Sequence, residues 1–330
     1  MQILITGGAG FIGYHLIGAL LDKDLDHRVI VLDDLSTGNV ENIQDLQYRY
    51  GKRVELIEGN ILDVKTCSNA VLGCDIVFHL AAAVGVQLIM DEPIKSIKTN
   101  IEGTQNVLEA CKNKRVILAS TSEVYGNQLN RDGLMAEDDK LTIGNPKVVR
   151  WSYACAKALD EWLALAYNTE NHCNITVCRF FNTVGPRQSS QWGMVIPKFV
   201  KAAISNKPLK IHGDGKQLRT FAHVKDVVEC LTKLMVSQKS YGEIVNIGSN
   251  TTISIEELAS LVIALTNSKS DIIYTPYEEV YGKSFEDIKS RIPDTTKVKE
   301  LIGFSPPNRL SEIIEEVAEY EASKRDNKTS

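Results

Sequence analysis

Several things are missing from this sequence, and each absence closes off a class of protein. The seven cysteines are scattered, odd in number and form no CxxC pair, so neither a disulfide framework nor a thiolate metal site is indicated. The six histidines (His15, His27, His79, His172, His212 and His223) show no metal-ligand spacing, and no metal is expected. No apolar run is long enough to span a membrane. Charge of one sign is also missing. With 37 Lys and Arg against 42 Asp and Glu, the net charge is −5, which leaves no general basic footprint for nucleic acid. An anionic ligand would have to be met by local arginines and lysines. Repeats and low-complexity segments are absent. A strand-like run begins at Gln2, leaving no room for a signal peptide. Together with the cysteine usage, this points to the cytoplasm, with Cys173 and Cys178 read as core thiols.

What is present is concentrated at the start. Gln2 to Thr6 read as a buried strand, Gly7, Gly8, Gly10 and Gly13 as a glycine turn, and Phe11 and Ile12 as the opening of an amphipathic helix running to Leu21. A dinucleotide pyrophosphate needs that order: a tight turn, backbone close enough to touch phosphate, and a helix N-terminus whose free N–H groups favour negative charge. A second apolar run, Arg28–Leu32, ends in Asp33, where a carboxylate can accept both ribose hydroxyls of NAD but repels the extra phosphate of NADP. No arginine follows; the next residues are Asp34, Leu35, Ser36 and Thr37. NAD is the expected cofactor.

Further strand-like runs at Val54–Glu58, Ile76–Leu80, Val116–Ser120 and Ile175–Phe180 alternate with helical patterns near Cys67–Leu72, Ile94–Lys112 and Tyr153–Asn168. Such alternation predicts an α/β fold, a doubly wound parallel sheet of Rossmann type. From Gly185 the pattern loosens, broken by Pro186, Pro197, Pro208, Gly213 and Gly215. Val245–Ile247 reads as one more strand returning to the first sheet. Ser254–Thr266 and Ser311–Ser323 read as helices, each with a serine cap candidate. The expected organisation is a dinucleotide-binding domain over 1–182, with 220–250 returning to it. A smaller interleaved α/β substrate-binding domain covers 183–219 and 251–322, and 323–330 is a frayed polar tail. The ligand cleft lies between the two domains, at the carboxyl ends of the strands.

Tyr153 and Lys157 are spaced one helical turn apart on one face. A phenol near pKa 10 is a poor base, and a neighbouring ammonium together with a positive nicotinamide ring favours phenolate. Lowering that pKa by about three units asks about 4 kcal/mol of the site. Upstream, the apolar run Val116–Leu118 closes on Ser120, Thr121, Ser122 and Glu123, which places the last three at the cleft. Asp63 is a candidate adenine contact, with a loop cap as the alternative. His79 is read as packed beside the cofactor rather than catalytic, and Trp151 and Trp162 as core or dimer contacts.

The glycine fingerprint, Asp33, the His79-Leu80-Ala81-Ala82 segment, Asn100, the Ser-Thr-Ser-Glu-Val-Tyr-Gly segment (120–126) and Tyr153/Lys157 together resemble the extended short-chain dehydrogenase/reductase family, from Met1 to about Ser311. The resemblance implies enzymes of nucleotide sugars that hold NAD tightly and use Tyr153, Lys157 and Thr121 as the core of the site. It also implies a homodimer built from the 94–112 and 153–168 helices. Within the family the shared step yields a 4-keto sugar, and later steps divide the branches. Ser122 stands where a 4,6-dehydratase places aspartate. The Thr-Ser-Glu segment resembles UDP-glucuronate decarboxylases. Arg150-Trp151-Ser152-Tyr153 and the stretch Tyr281–Arg291 resemble the decarboxylase domain of aminoarabinose synthesis, and the former also resembles UDP-apiose/xylose synthase. Decarboxylation of UDP-glucuronate to UDP-xylose or a UDP-4-keto-pentose is therefore implied first. The alternative is a UDP-hexose or UDP-uronate 4-epimerase, since Gly193-Met194 replaces the Gly-Arg usual in decarboxylases and Met194 to Pro197 reads like epimerases. A non-enzymatic NAD-binding scaffold has no need of a poised phenolate. Asn182, Val195, Lys210, Arg219 and Arg291 are the expected substrate contacts, with Lys210 and Arg219 flanking a Gly-Asp-Gly turn.

Overall fold

Five short apolar strands form in the first half of the chain, each followed by a turn and at least one helix. A computed structural model describes residues 1–127, 133–190, 194–281, 288 and 290–329. The order is β1 (Gln2–Thr6), α1 (Phe11–Lys23), β2 (Arg28–Asp33), α2 (Val40–Tyr50), β3 (Val54–Glu58), α3 (Val64–Val71), β4 (Ile76–His79), α4 (Val86–Asp91), α5 (Pro93–Ala110), β5 (Arg115–Thr121), α6 (Trp151–Glu170) and β6 (Asn174–Phe180). The second half adds β7 (Thr183–Val184), α7 (Val195–Ala203), β8 (Leu209–His212), β9 (Leu218–Thr220), β10 (Ala222–His223), α8 (Val224–Val236), β11 (Ile244–Ile247), β12 (Thr252–Ser254), α9 (Ile255–Leu265), β13 (Ile272–Thr275), α10 (Tyr277–Tyr281), α11 (Thr296–Ile302) and α12 (Leu310–Thr329).

The main sheet runs β11-β6-β5-β4-β1-β2-β3, with every pair parallel. Strand order reverses between β1 and β4, and a crevice opens there beyond the carboxyl ends. One face is covered by α1, α2, α8 and α11 through Leu16, Ile17, Leu20, Leu46, Leu231 and Val298. The other is covered by α3, α5 and α6 through Cys67, Val107, Leu108 and Ala164. Burial on both faces explains why these strands read as continuous apolar runs. A separate cluster joins Phe199, Leu209, Leu258, Val262 and Ile314 across α7, β8, α9 and α12.

The return of Ile244–Ile247 to the sheet beside β6 matches its apolar run. Ser254 caps α9 with a full capping box to Glu257, whereas the last long helix starts at Leu310, so Ser311 lies inside it. That helix continues to Thr329 rather than fraying from Ser323; Arg325 donates to the Ile204 carbonyl at 3.1 Å and ties it to the end of α7. The helix α2 has no counterpart in the sequence expectation, because it presents only Ile43 and Leu46 as buried apolar anchors. The pairs β8–β13 and β9–β12 are likewise only three or four residues long and carry too little periodicity to read. All seven cysteines are free thiols, six of them buried. Among the described residues, no helix is long and apolar enough to cross a membrane.

Candidate active site and cofactor cleft

The glycine turn is built for a close neighbour. Gly7 has φ +72°, and a Cβ there would stand 2.7 Å from the Ala81 nitrogen. A Cβ on Gly13 would stand 2.6 Å from the Gly8 Cα, so helix and turn can pack this tightly only with glycine. Gly10 is the N-cap of α1, offers no side-chain acceptor, and no acid lies in the first turn. The leading amides, at Phe11, Ile12 and Gly13, thus lie at a helix N-terminus suited to an anion. A cavity opens here, lined by Gly7, Gly10, Asp33, Asp34 and the run Leu80 to Ala83.

Asp33 closes β2 and is held by two backbone donors, Ala9 N to Oδ2 at 3.0 Å and Leu35 N to Oδ1 at 2.9 Å. Burial pushes its carboxyl above the ordinary range, against those two donors. Asp34 accepts from the Ser36 hydroxyl and from Asn60. The uncapped helix end, the glycine cradle and the buried terminal acid fit a dinucleotide with free ribose hydroxyls. Three expected cofactor residues stand differently. Asp63 is exposed and caps α3, accepting from Lys65 N and Thr66 N, while the cavity wall runs through Gly59 and Ile61. Asn100 is buried and clasps both backbone groups of Ala83, so it shapes the wall from behind. Ser120 directs its hydroxyl to Glu161 at 2.5 Å.

The helix α6 carries Tyr153, 8% exposed, and Lys157, 2% exposed. Thr121 ends β5, where its hydroxyl accepts from Glu123 N at 3.2 Å and hydrogen-bonds the Tyr153 phenol. Ser122 is buried in the turn that follows. Burial and then the Glu123 carboxylate raise the phenol of the protein itself, and Thr121 only partly offsets them. The Lys157 ammonium sits 2.9 Å from Asp160 Oδ2. His79 is buried between Thr6 and Thr104, and burial followed by the Lys157 charge lowers it to about 3, which makes it a neutral packing residue.

Glu123 lies between two guanidiniums, Arg291 at 3.3 Å and Arg150 at 3.7 Å. Asn182 accepts from Arg291 at 3.4 Å and donates to the Thr220 carbonyl, joining this group to the end of β9. Arg150 is only 4% exposed; in the sequence, its place three residues before Tyr153 is the signal for a role in the site. Trp151 is 1% exposed and lies in the core, whereas Trp162 is 62% exposed. Arg219 is buried on β9, Lys210 is exposed on β8, and Val195 opens α7 against the second cluster. Gln191 to Gly193, the segment 282–287 and Lys289 lie outside the described residues. The fold does gather His223, Glu312 and Glu316 within 4.8 Å, a grouping invisible to local spacing. There, Lys225 N donates to His223 Nδ1, which puts the ring proton on Nε2, while Lys225 pairs with Glu316 and Arg309 with Glu312.

A switch-point cavity behind a glycine turn, next to a Tyr/Lys helix, defines a dinucleotide-dependent α/β enzyme. The chain belongs to the NAD dependent epimerase/dehydratase family, whose profile matches residues 3–248, and NAD is its cofactor. It is 41% identical over 308 residues to a UDP-N-acetyl-alpha-D-glucosaminuronate decarboxylase of Bacillus cytotoxicus, covering 92% of each chain. It is 34% identical to UDP-glucuronic acid decarboxylase 2 of Arabidopsis thaliana, over 93% of this chain and 65% of that one. Among solved structures, UDP-glucuronic acid 4-epimerase from Bacillus cereus in complex with UDP-glucuronic acid and NAD superposes with TM-score 0.86 at 30% identity, covering 98% of this chain and all of that one.

Proposed function

We propose that this enzyme decarboxylates a UDP-hexuronate, with UDP-glucuronate the first substrate, by way of a 4-keto sugar. The observation that carries the reading is the pair Arg150 and Arg291 about Glu123, on the wall that also holds Tyr153 and Asn182. Two guanidiniums on one wall are fixed, planar donors of the kind that recognise carboxylates, and they suit the carboxylate of the sugar. The decarboxylase names of the relatives at 41% and 34% identity support the same choice. The first of them makes the 2-acetamido hexuronate the second substrate to try.

When bound, NAD supplies a hydride acceptor for the sugar C4. Gly7, Gly10, Gly13 and the opening amides of α1 hold its pyrophosphate, and Asp33 its ribose. Tyr153 takes the C4 hydroxyl proton, with Thr121 orienting the phenol and Lys157 supplying positive charge. In the resulting β-keto acid the C5–C6 bond breaks, CO₂ leaves, and the bonding pair moves onto the C4 carbonyl oxygen. Tyr153, now protonated, hydrogen-bonds that oxygen. C5 then gains a proton in place of the lost carboxylate, taken from water and passed on by Glu123, with Ser122 and Asn182 orienting the ring. Arg219 and Lys210 are assigned to the diphosphate, and Val195 to the sugar-side wall. We also propose a homodimer through α5 and α6, whose Ile94, Trp162 and Leu159 are 73%, 62% and 44% exposed. Seven free thiols support a cytoplasmic setting.

A 4-epimerase is the second reading, favoured by Met194 at the N-cap of α7 and by the fold match to 4-epimerases. Incubating the purified protein with UDP-glucuronate and NAD, followed by mass spectrometry and proton NMR, separates the two. Loss of the mass of CO₂ with a pentose or 4-keto-pentose spectrum is the expected result. Unchanged mass with an inverted C4 proton would move the assignment to epimerisation.

A further inference from the structure

Asp160 lies one turn beyond Lys157 on α6 and is 0% exposed, an unusual place for a carboxylate. Its Oδ2 accepts from Lys157 Nζ at 2.9 Å and from the Thr104 hydroxyl at 3.2 Å. Behind it the polar groups form a single ordered chain. Thr104 has one hydroxyl proton, and it goes to the carboxylate, so the 3.1 Å contact with His79 Nε2 must be donated by the ring. His79 Nδ1 is then an acceptor, and the Thr6 hydroxyl donates to it at 2.7 Å. Thr6 Oγ1 in turn accepts from Ala81 N at 3.2 Å, and Ala81 lines the cofactor cavity. The wall of the cavity is thus connected, donor by donor, to the oxygen that holds the lysine.

We propose that Asp160 is a positioning residue that anchors Lys157 and counterbalances its charge, so that Tyr153 gives up its proton at a higher pH than the lysine alone would set. The inference rests on the reading of Tyr153 as the base. The groups that face this pair are few. Glu123 and Thr121 face Tyr153 from the end of β5 and its turn, His79 faces Lys157 from β4, and Glu161 adjoins Asp160 on α6. Glu123 and Asp160 both act to raise the phenol, so removing the Asp160 charge must lower it.

The test is Asp160→Asn, which keeps the shape and one oxygen acceptor but removes the charge. The primary readout is ultraviolet difference titration of the NAD-loaded protein without sugar, each variant being referenced to the same protein carrying Tyr153→Phe. The phenol step is expected to fall by about one pH unit, the scale set by one nearby buried charge. The acid limb of kcat/KM should fall by the same amount, raising turnover about tenfold at pH values below it. Thr104→Val removes a donor to the carboxylate while keeping the charge, and should move the phenol step upward by a smaller amount. That variant carries the test if Asp160→Asn fails to fold. A phenol step that stays in place or rises in Asp160→Asn, or stays in place in Thr104→Val, overturns the proposal whatever the sugar substrate proves to be. If Tyr153→Phe retains turnover, the base assignment fails instead.

Discussion

Replacing Glu161 by Gln while Arg179 stays should destabilise the protein more than any exposed ion pair can. Both side chains are 3% exposed, and the guanidinium is held twice, Nε to Oε1 at 2.9 Å and Nη2 to Oε2 at 2.7 Å. Arg179 also donates to the Glu137 carbonyl at 3.0 Å and lies 4.6 Å from the Tyr125 ring centre, while Ser120 donates to the same carboxylate. Removing one charge of a buried pair costs about 3–5 kcal/mol, because the other charge remains without its counterion. Gln keeps one acceptor oxygen, so the low end, about 3 kcal/mol, is expected. With a urea slope of about 3 kcal/mol/M, the midpoint falls by about 1 M. The paired replacement Glu161→Gln with Arg179→Met removes both charges, and should recover at least about half the loss in a double-mutant cycle. The pair joins α6, which carries Tyr153 and Lys157, to β6 and, through Ser120, to β5. Turnover per folded molecule should therefore also drop. A single variant within about 0.5 kcal/mol of the parent, or a double variant weaker than the single by the full Arg179 cost, would refute the reasoning.

Gly13→Ala should abolish NAD binding by calorimetry, because its Cβ would stand 2.6 Å from the Gly8 Cα and the turn would have to open. Asp33 has its folded-state pKa raised by burial, so ionising it opposes folding, and that penalty sets in as pH rises through the folded value. Asp33→Asn should accordingly flatten the fall of melting temperature with pH over that range while weakening NAD, and an unchanged pH dependence would contradict this. Arg115 is 6% exposed, with donors to the carbonyls of Leu234, Met235 and Asn174 and to Thr176 and Ser240, and with no carboxylate partner among the described residues. Arg115→Met, by orphaning these acceptors at the end of α8, should cost about 2–4 kcal/mol in urea unfolding.

The parallel sheet was legible because β1, β2, β4 and β5 each carry an unbroken run of buried or half-buried apolar residues: Ile3–Ile5, Val29–Leu32, Ile76–Phe78 and Val116–Leu118. The cofactor cleft was legible for a related reason: glycine at positions 7 and 13 answers a local steric demand that no other residue meets. The second half was harder to read, since β8, β9, β12 and β13 are three or four residues long and gain their stability from tertiary packing rather than pattern. Electrostatics escaped the sequence most completely. Tyr153 and Lys157 announce themselves by spacing, yet the lysine's partner is Asp160 and the phenol's nearest acid is Glu123, thirty residues earlier in the chain. Arg150 and Arg291 meet at Glu123 only because α6 and the end of the chain's second half close over β5.

In a decarboxylase C6 of the sugar leaves as CO₂, and that carbon can be followed. UDP-glucuronate labelled with carbon-13 at C6 is incubated with the enzyme and NAD, and the label is followed by carbon NMR. The account requires the label to leave the sugar and appear as CO₂ and bicarbonate, at a rate that Tyr153→Phe abolishes. A label that stays on the sugar while C4 inverts would contradict it.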